Sequence, residues 1–188
     1  MRQKGDDIPV SAMSVDGVIP TGTAKLEKRG IAPRVPKWNS ETCAQCGVCA
    51  SACPHAAIRT KLVEPADAEK APASFTMVDA KPNDHGEKFK VQVYCDDCTG
   101  CGVCTQACPS KNKAEPEKKA INMVPQEPIA ASEAKNWDFF VDLPEYDRTQ
   151  INKNLVKQAM LLEPLFEFSG SCAGCGETPY AKLITQLF

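Results

Sequence analysis

The sequence predicts an α+β fold with a pseudo-two-fold repeat. Three observations lead there. A cysteine-rich run occurs twice, as Cys43-Ala-Gln-Cys46-Gly-Val-Cys49-Ala-Ser-Ala-Cys53-Pro54 and as Cys98-Thr-Gly-Cys101-Gly-Val-Cys104-Thr-Gln-Ala-Cys108-Pro109. Each run is followed by an Ala-Ile pair, Ala57-Ile58 and Ala120-Ile121, so the repeat extends past the cysteines. Phe89-Lys-Val-Gln-Val-Tyr94 alternates with the period of two that marks a strand.

Both runs read C-x2-C-x2-C-x3-C-P. That is the bacterial ferredoxin run, whose fourth cysteine ligates the other cluster of a pair. Two runs imply a ferredoxin-like domain with two [4Fe-4S] clusters. One cluster is expected to take Cys43, Cys46, Cys49 and Cys108, the other Cys98, Cys101, Cys104 and Cys53. Three cysteines so spaced wrap three iron corners with one loop, and the fourth corner is reached from elsewhere. Gly47 and Gly102 hold the same place in each loop, where glycine permits positive φ and close approach. Pro54 and Pro109 fix φ directly after the remote cysteine.

Other readings of these cysteines fit less well. A zinc site uses separated CxxC pairs with no third cysteine in register. Disulfides need an oxidising compartment. Cys95 stands three residues before Cys98 and offers a competing register. Only Cys98 as first ligand leaves Cys104 third and Cys108 remote, so Cys95 is expected as a small buried side chain. With all eight thiolate places filled, His55 and His85 are expected to be structural or solvated.

The 188-residue chain allows one or two domains. Its formal charge of −2, without a basic stripe, argues against nucleic acid. No run of 18 apolar residues exists to cross a membrane. Eleven cysteines with no apolar leader after Met1 point to a reducing, cytoplasmic setting.

In chain order, residues 1–37 are punctuated by Gly and Pro and read as an extended connecting arm lying along another domain. Residues 38–125 form the two-cluster domain. Its insertion, 59–94, is inferred because 44 residues separate Cys53 from Cys98. Lys111-Asn-Lys-Ala-Glu-Pro-Glu-Lys-Lys119 is a charged run: a solvated loop, or more sharply a docking surface for an acidic electron acceptor.

Residues 126–165 read as a linker and a helix. Ile151, Leu155, Ala159 and Leu162 fall on one helical face, and Pro164 stops it. Residues 166–188 hold a third group, Cys172-Ala-Gly-Cys175, then Thr178 as N-cap and Pro179 as N1 of a truncated C-terminal helix. By itself a lone CxxC is half a zinc site, a redox dithiol or half a cluster.

Together these stretches resemble pyruvate:ferredoxin (flavodoxin) oxidoreductase, the large single-chain bacterial type. The resemblance is carried by Gly5-Asp-Asp-Ile-Pro-Val-Ser-Ala12, Pro20-Thr-Gly-Thr-Ala-Lys-Leu-Glu-Lys28, Ala71-Pro-Ala-Ser-Phe75, Asn136-Trp-Asp-Phe-Phe140, Leu162-Glu-Pro-Leu-Phe-Glu-Phe-Ser-Gly170 and Cys172-Ala-Gly-Cys175-Gly-Glu-Thr-Pro-Tyr180.

It implies a homodimeric enzyme when full length. That enzyme decarboxylates pyruvate on thiamine diphosphate and Mg²⁺, passes electrons singly along three [4Fe-4S] clusters to ferredoxin or flavodoxin, and gives the acetyl group to coenzyme A. It also implies that Cys172 and Cys175 ligate the third cluster and that Glu177 contacts thiamine diphosphate.

Most of the thiamine domain and the substrate sites of that family have no counterpart here, so the chain is expected as a fragment that does not turn over pyruvate alone. No partner is expected to bury Leu183, Ile184, Leu187 and Phe188. The competing reading is a self-standing ferredoxin-like carrier, or a small subunit of another 2-oxoacid oxidoreductase. Residues 126–188 discriminate, because a carrier has no need of the third cysteine group.

Overall fold

The computed structural model describes residues 4–18, 22–82 and 86–188. His85 lies outside the described residues. Three short 3₁₀ turns at Gly5–Asp7, Val10–Ala12 and Thr23–Leu26 open the chain, and Ile8, Val10, Met13, Val15 and Val18 beside them are exposed. Next come strand β1 (Arg34–Trp38), helix α1 (Val48–Ala52) and strand β2 (Ile58–Val63). A single helical turn α2 (Pro65–Ala68) and a short strand β3 (Val78–Asp79) lead to β4 (Lys88–Val93), α3 (Val103–Ala107) and β5 (Ile121–Pro125). The order strand, cysteine helix, strand thus occurs twice.

The strands pair from the outside in. β1 runs antiparallel to β5, with Arg34 opposite Pro125 and Trp38 opposite Ile121. β2 runs antiparallel to β4, with Ile58 opposite Val93, and β3 adds to the other edge of β4. Each strand before one cysteine run therefore pairs with the strand after the other. β1 reaches back across the expected boundary at residue 37, and the stretch expected as an insertion, 59–94, holds most of β2 and all of β3 and β4, the whole of the three-stranded sheet but Ile58.

Helix α4 (Ala130–Asp142) packs its buried Trp137 and Phe140 over β4 and the turn that follows it. Trp137 stacks on Tyr94 at 4.4 Å between ring centres, and Phe168 packs edgewise on Trp137. The buried Arg59 guanidinium lies 5.0 Å from the centre of the Trp137 ring and pairs with Glu167. Arg59 thus fastens residues 163–168 to β2. Asn136 is fully buried; its Oδ1 accepts from Ser74 Oγ at 2.7 Å and its Nδ2 donates to the Ser74 carbonyl at 3.3 Å. Lys61 Nζ donates to the carbonyls of Phe140 and Leu143, satisfying the C-terminal end of α4.

The helix expected across Ile151–Leu162 is corrected to one turn, α5 (Val156–Ala159). Side chains take the backbone donors there. Asn152 Oδ1 accepts from the Asn154 N–H, and Gln158 Oε1 accepts from the Asn152 N–H at 2.6 Å.

The last helix, α6 (Thr178–Leu187), begins one residue earlier than expected, with Glu177 as N-cap and no side-chain cap bond. The expectation that it lacks a partner is corrected in part: Leu183 and Leu187 are partly buried against the core, while Ile184 and Phe188 are exposed as expected. It packs on α1, where Lys182 reaches the Ala50 and Ser51 carbonyls; Thr178, Lys182 and Gln186 are buried, while Tyr180, Ile184 and Phe188 are exposed. Both stripes recur at i, i+4, i+8, so the most buried stripe of the helix is a polar one. Among the described residues no helix is long and apolar enough to cross a membrane.

Candidate iron–sulfur site

Helices α1 and α3 pack together, and each starts at a left-handed glycine: Gly47 at φ 72° and Gly102 at φ 76°. A Cβ at Gly47 would meet Lys157 Cα and Met160 at 3.3 Å, so that turn is also closely covered. Two residues earlier the runs again match. Gln45 has φ 56° and Gly100 has φ 70°. The backbone N–H of Gln45 donates to Cys43 Sγ at 3.3 Å, and that of Gly100 to Cys98 Sγ at 3.4 Å. The loop conformation thus aims one backbone donor at the first sulfur of each run. Such bonds are one of the levers that set a cluster's potential.

Cys53, from the first run, lines one cavity with Cys98, Cys101 and Cys104 of the second. Pro36, Ile58 and Met123 supply its apolar wall. In the other direction, Ser110, two residues past Cys108, accepts from the Ala44 N–H inside the first loop. Cys53, Cys98, Cys104 and Cys108 are buried; Cys43, Cys46, Cys49 and Cys101 are half-buried. Among the described residues, no three His, Cys, Asp or Glu side chains converge as around a single ion. The cysteines border a space rather than a point.

Electrostatics fit that space. Burial pushes the Cys98 and Cys104 thiols up to about 12, with Cys53 a further contributor to both. Cys49 is pushed up further still, first by burial and then by Cys43, Cys104, Cys108 and Cys46. Thiols so placed keep their protons unless a cation compensates them, and a coordinating metal deprotonates a thiol outright. An iron cluster supplies that cation, so the residues present fit a [4Fe-4S] group. Cys95 is buried against α4 rather than in the cavity, with burial pushing its thiol up to about 12.

His55 is buried beside Cys53, its Nδ1 3.4 Å from Ser169 Oγ, and burial lowers its pKa.

The third cysteine group docks on the second run. A Cβ at Gly174 would stand 3.4 Å from Cys101 Cβ and 3.6 Å from Val103 Cγ2. Cys172 is exposed and Cys175 half-buried. Backbone N–H groups of Thr178 and then Glu177, at the start of α6, hold the Cys175 thiol below its ordinary range. Glu177 is exposed.

Sequence reasoning missed three residues that shape the site. Gln45 is buried and threads its amide between Asp79 O, to which Nε2 donates at 2.7 Å, and the Lys81 N–H, which donates to Oε1 at 2.9 Å. Aligning the two runs exposes it, since it stands where the other has Gly100. Lys182, 1% exposed, donates to the carbonyls of Ala50, Ser51 and Cys53. Lys119 donates to Thr105 O and Gln106 O, the equivalent carbonyls of α3. Neither lysine announces this role in sequence.

Fold and site together are those of a two-cluster, ferredoxin-like iron–sulfur domain. Residues 42–112 match the family model of the 4Fe-4S dicluster domain, and residues 1–32 match that of a domain of unknown function. The chain is 55% identical, over all of its length, to a pyruvate-flavodoxin oxidoreductase of Trichormus variabilis. It is 49% identical over 98% of its length to a probable pyruvate-flavodoxin oxidoreductase of Escherichia coli, and 50% identical over 98% to a pyruvate:ferredoxin oxidoreductase of Moorella thermoacetica. It spans only 15–16% of the length of these relatives. Over its whole length the chain thus corresponds to one segment of pyruvate-flavodoxin oxidoreductase.

Proposed function

We propose that this chain is the iron–sulfur electron-relay segment of a pyruvate:ferredoxin (flavodoxin) oxidoreductase. When bound, two [4Fe-4S] clusters store and pass electrons one at a time. Cys43, Cys46, Cys49 and Cys108 hold one cluster; Cys98, Cys101, Cys104 and Cys53 hold the other. The observation that carries this reading is Cys53 lining one cavity with Cys98, Cys101 and Cys104. The doubled strand–helix–strand order supports a pseudo-two-fold relation between the two halves.

The residues around the sulfurs have separable tasks. The N–H groups of Gln45 and Gly100 aim at the first sulfur of each run, and the apolar wall keeps water off the cluster that takes Cys53. The packing of Gly174 on Cys101 would set a third cluster, held in part by Cys172 and Cys175, beside the second run. Glu177 would face thiamine diphosphate and its Mg²⁺ beyond it. The exposed apolar side chains of residues 8–18 suit an arm laid along another part of a longer, homodimeric, cytoplasmic enzyme. Electrons from oxidation of pyruvate to acetyl-coenzyme A and CO₂ would leave through ferredoxin or flavodoxin.

The test is iron and sulfide analysis of anaerobically reconstituted protein, with Cys53→Ala beside it. About eight irons are expected, four per cluster. Cys53→Ala should cost the cluster of the second run, not the first. Tight zinc with little iron, or loss of the first run's cluster, would overturn the assignment.

A further inference from the structure

Lys182 is a polar residue in a place that costs free energy to fill. Its side chain comes from α6, is 1% exposed, and ends among three carbonyl oxygens at the C-terminal end of α1: Ala50 at 2.5 Å, Ser51 at 2.9 Å and Cys53 at 2.8 Å. A buried ammonium satisfied only by neutral acceptors keeps most of its desolvation cost. The second run has a counterpart. Lys119 caps Thr105 and Gln106, but it is half-buried and open to solvent.

We propose that Lys182 places a buried positive charge beside Cys53 and thereby raises the reduction potential of the cluster that Cys53 ligates. The proposal rests on the two-cluster reading above. One-electron reduction takes a [4Fe-4S] core from 2+ to 1+, with no bond broken and no proton required. The four thiolates are unchanged, so the ligated cluster gains one negative charge. A nearby cation stabilises the product more than the reactant, and net charge is among the terms that set cluster potentials. Water screens Lys119 but not Lys182, so the two caps are unequal. Lys182 is a positioning residue: it acts through the field at the cluster and touches no substrate.

The experiment is a potentiometric titration of the cluster-loaded protein with titanium(III) citrate, followed by EPR, on wild type, Lys182→Met, Lys182→Arg and Lys119→Met. All four should bind iron equally. Lys182→Met should move one cluster's midpoint to more negative potential, by a roughly three- to tenfold change in equilibrium constant, about 28–59 mV at 59 mV per decade. Lys182→Arg should stay near wild type. Lys119→Met should shift less, and its shift should shrink in high salt.

An unchanged midpoint in loaded Lys182→Met, or equal shifts in Met and Arg, overturns the proposal. If Lys182→Met loses iron, Lys182→Gln replaces it; loss of iron there too makes the lysine structural and overturns it as well. Wild type without clusters would instead refute the two-cluster reading.

Discussion

Gln45 and Gly100 occupy the same place in the two cysteine runs, and both take positive φ, yet only one is glycine. The left-handed conformation costs an ordinary residue roughly 1–2 kcal/mol. Gln45 offsets that cost with two buried bonds, to Asp79 O and from the Lys81 N–H. Gly100 has no room for such a device, because a Cβ there would stand 3.2 Å from Ala32 Cβ and Arg34 O.

These two sites give an ordered prediction. Gln45→Ala keeps the strain and loses the bonds, and should cost about 1–3 kcal/mol. Gln45→Gly loses the bonds but relieves the strain, so it should fall between Ala and wild type. Gly100→Ala should cost at least about 1–2 kcal/mol. Denaturant unfolding, followed by cluster absorbance, ranks them; Gln45→Ala more stable than Gln45→Gly would disprove the account.

Register separates two neighbouring cysteines. Cys98→Ala should lose one cluster's worth of iron or leave a three-iron species. Cys95→Ala removes a buried side chain outside the cavity and should leave both clusters in place. Iron analysis reads this directly, and the opposite pattern would move the register to Cys95. Because α1 and α3 pack together, EPR of the fully reduced protein should also show spin–spin coupling.

Lys90 predicts a pH dependence. It is buried, its ammonium 4.4 Å from the centre of the Phe75 ring, and burial lowers its pKa from 10.5 to about 8. Below pH 8 both folded and unfolded chains carry the proton, so Lys90 adds no slope. Between about 8 and 10.5 the unfolded chain binds more protons, and stability from this group rises with pH, by up to about 1.4 kcal/mol per unit. Unfolding of wild type against Lys90→Met across that window measures it. A difference that stays flat or falls with pH would contradict the burial argument.

Helix α6 predicts an inverted mutational pattern. Ile184→Lys, on the exposed stripe, should stay within about 0.5 kcal/mol of wild type. Gln186→Ala loses the bond that Nε2 donates to Leu162 O and should cost about 1–3 kcal/mol. Thermal unfolding of the two variants compares them, and a larger loss at Ile184 would mean that the apolar stripe faces inward.

That inversion marks the limit of what the sequence makes legible. The cysteine spacing is a local code, so the two runs and their glycine turns can be read directly. So can β4, which forms over Lys88–Val93 where the alternation predicts a strand, although both of its faces are buried. The facing of α6 cannot be read, because nothing local to Lys182 shows that it answers the carbonyls at the end of α1. The helix periodicity of Ile151, Leu155, Ala159 and Leu162 misleads for a related reason. The amide side chains of Asn152 and Gln158 hold the Asn152 and Asn154 N–H groups in a turn ahead of α5. In both places polar satisfaction, by distant carbonyls for Lys182 and by nearby amides at Asn152, decides the outcome over the apolar pattern.

The pairing of β1 with β5 bears on how the chain is made. Trp38 has no strand partner until Ile121 has left the ribosome. At about 5–20 residues per second, that delay is roughly 4–17 s. Through it, the first cysteine run is out, while Cys108 and the strand that closes the domain are still being synthesised. On the proposed ligation, a nascent chain in that interval offers Cys43, Cys46 and Cys49 to one cluster without Cys108, and Cys53 to a second cluster whose other ligands are not yet made. Cluster insertion then belongs after translation of both halves, and a cell making this protein must shield the first loop from oxidation and stray metals until the second arrives.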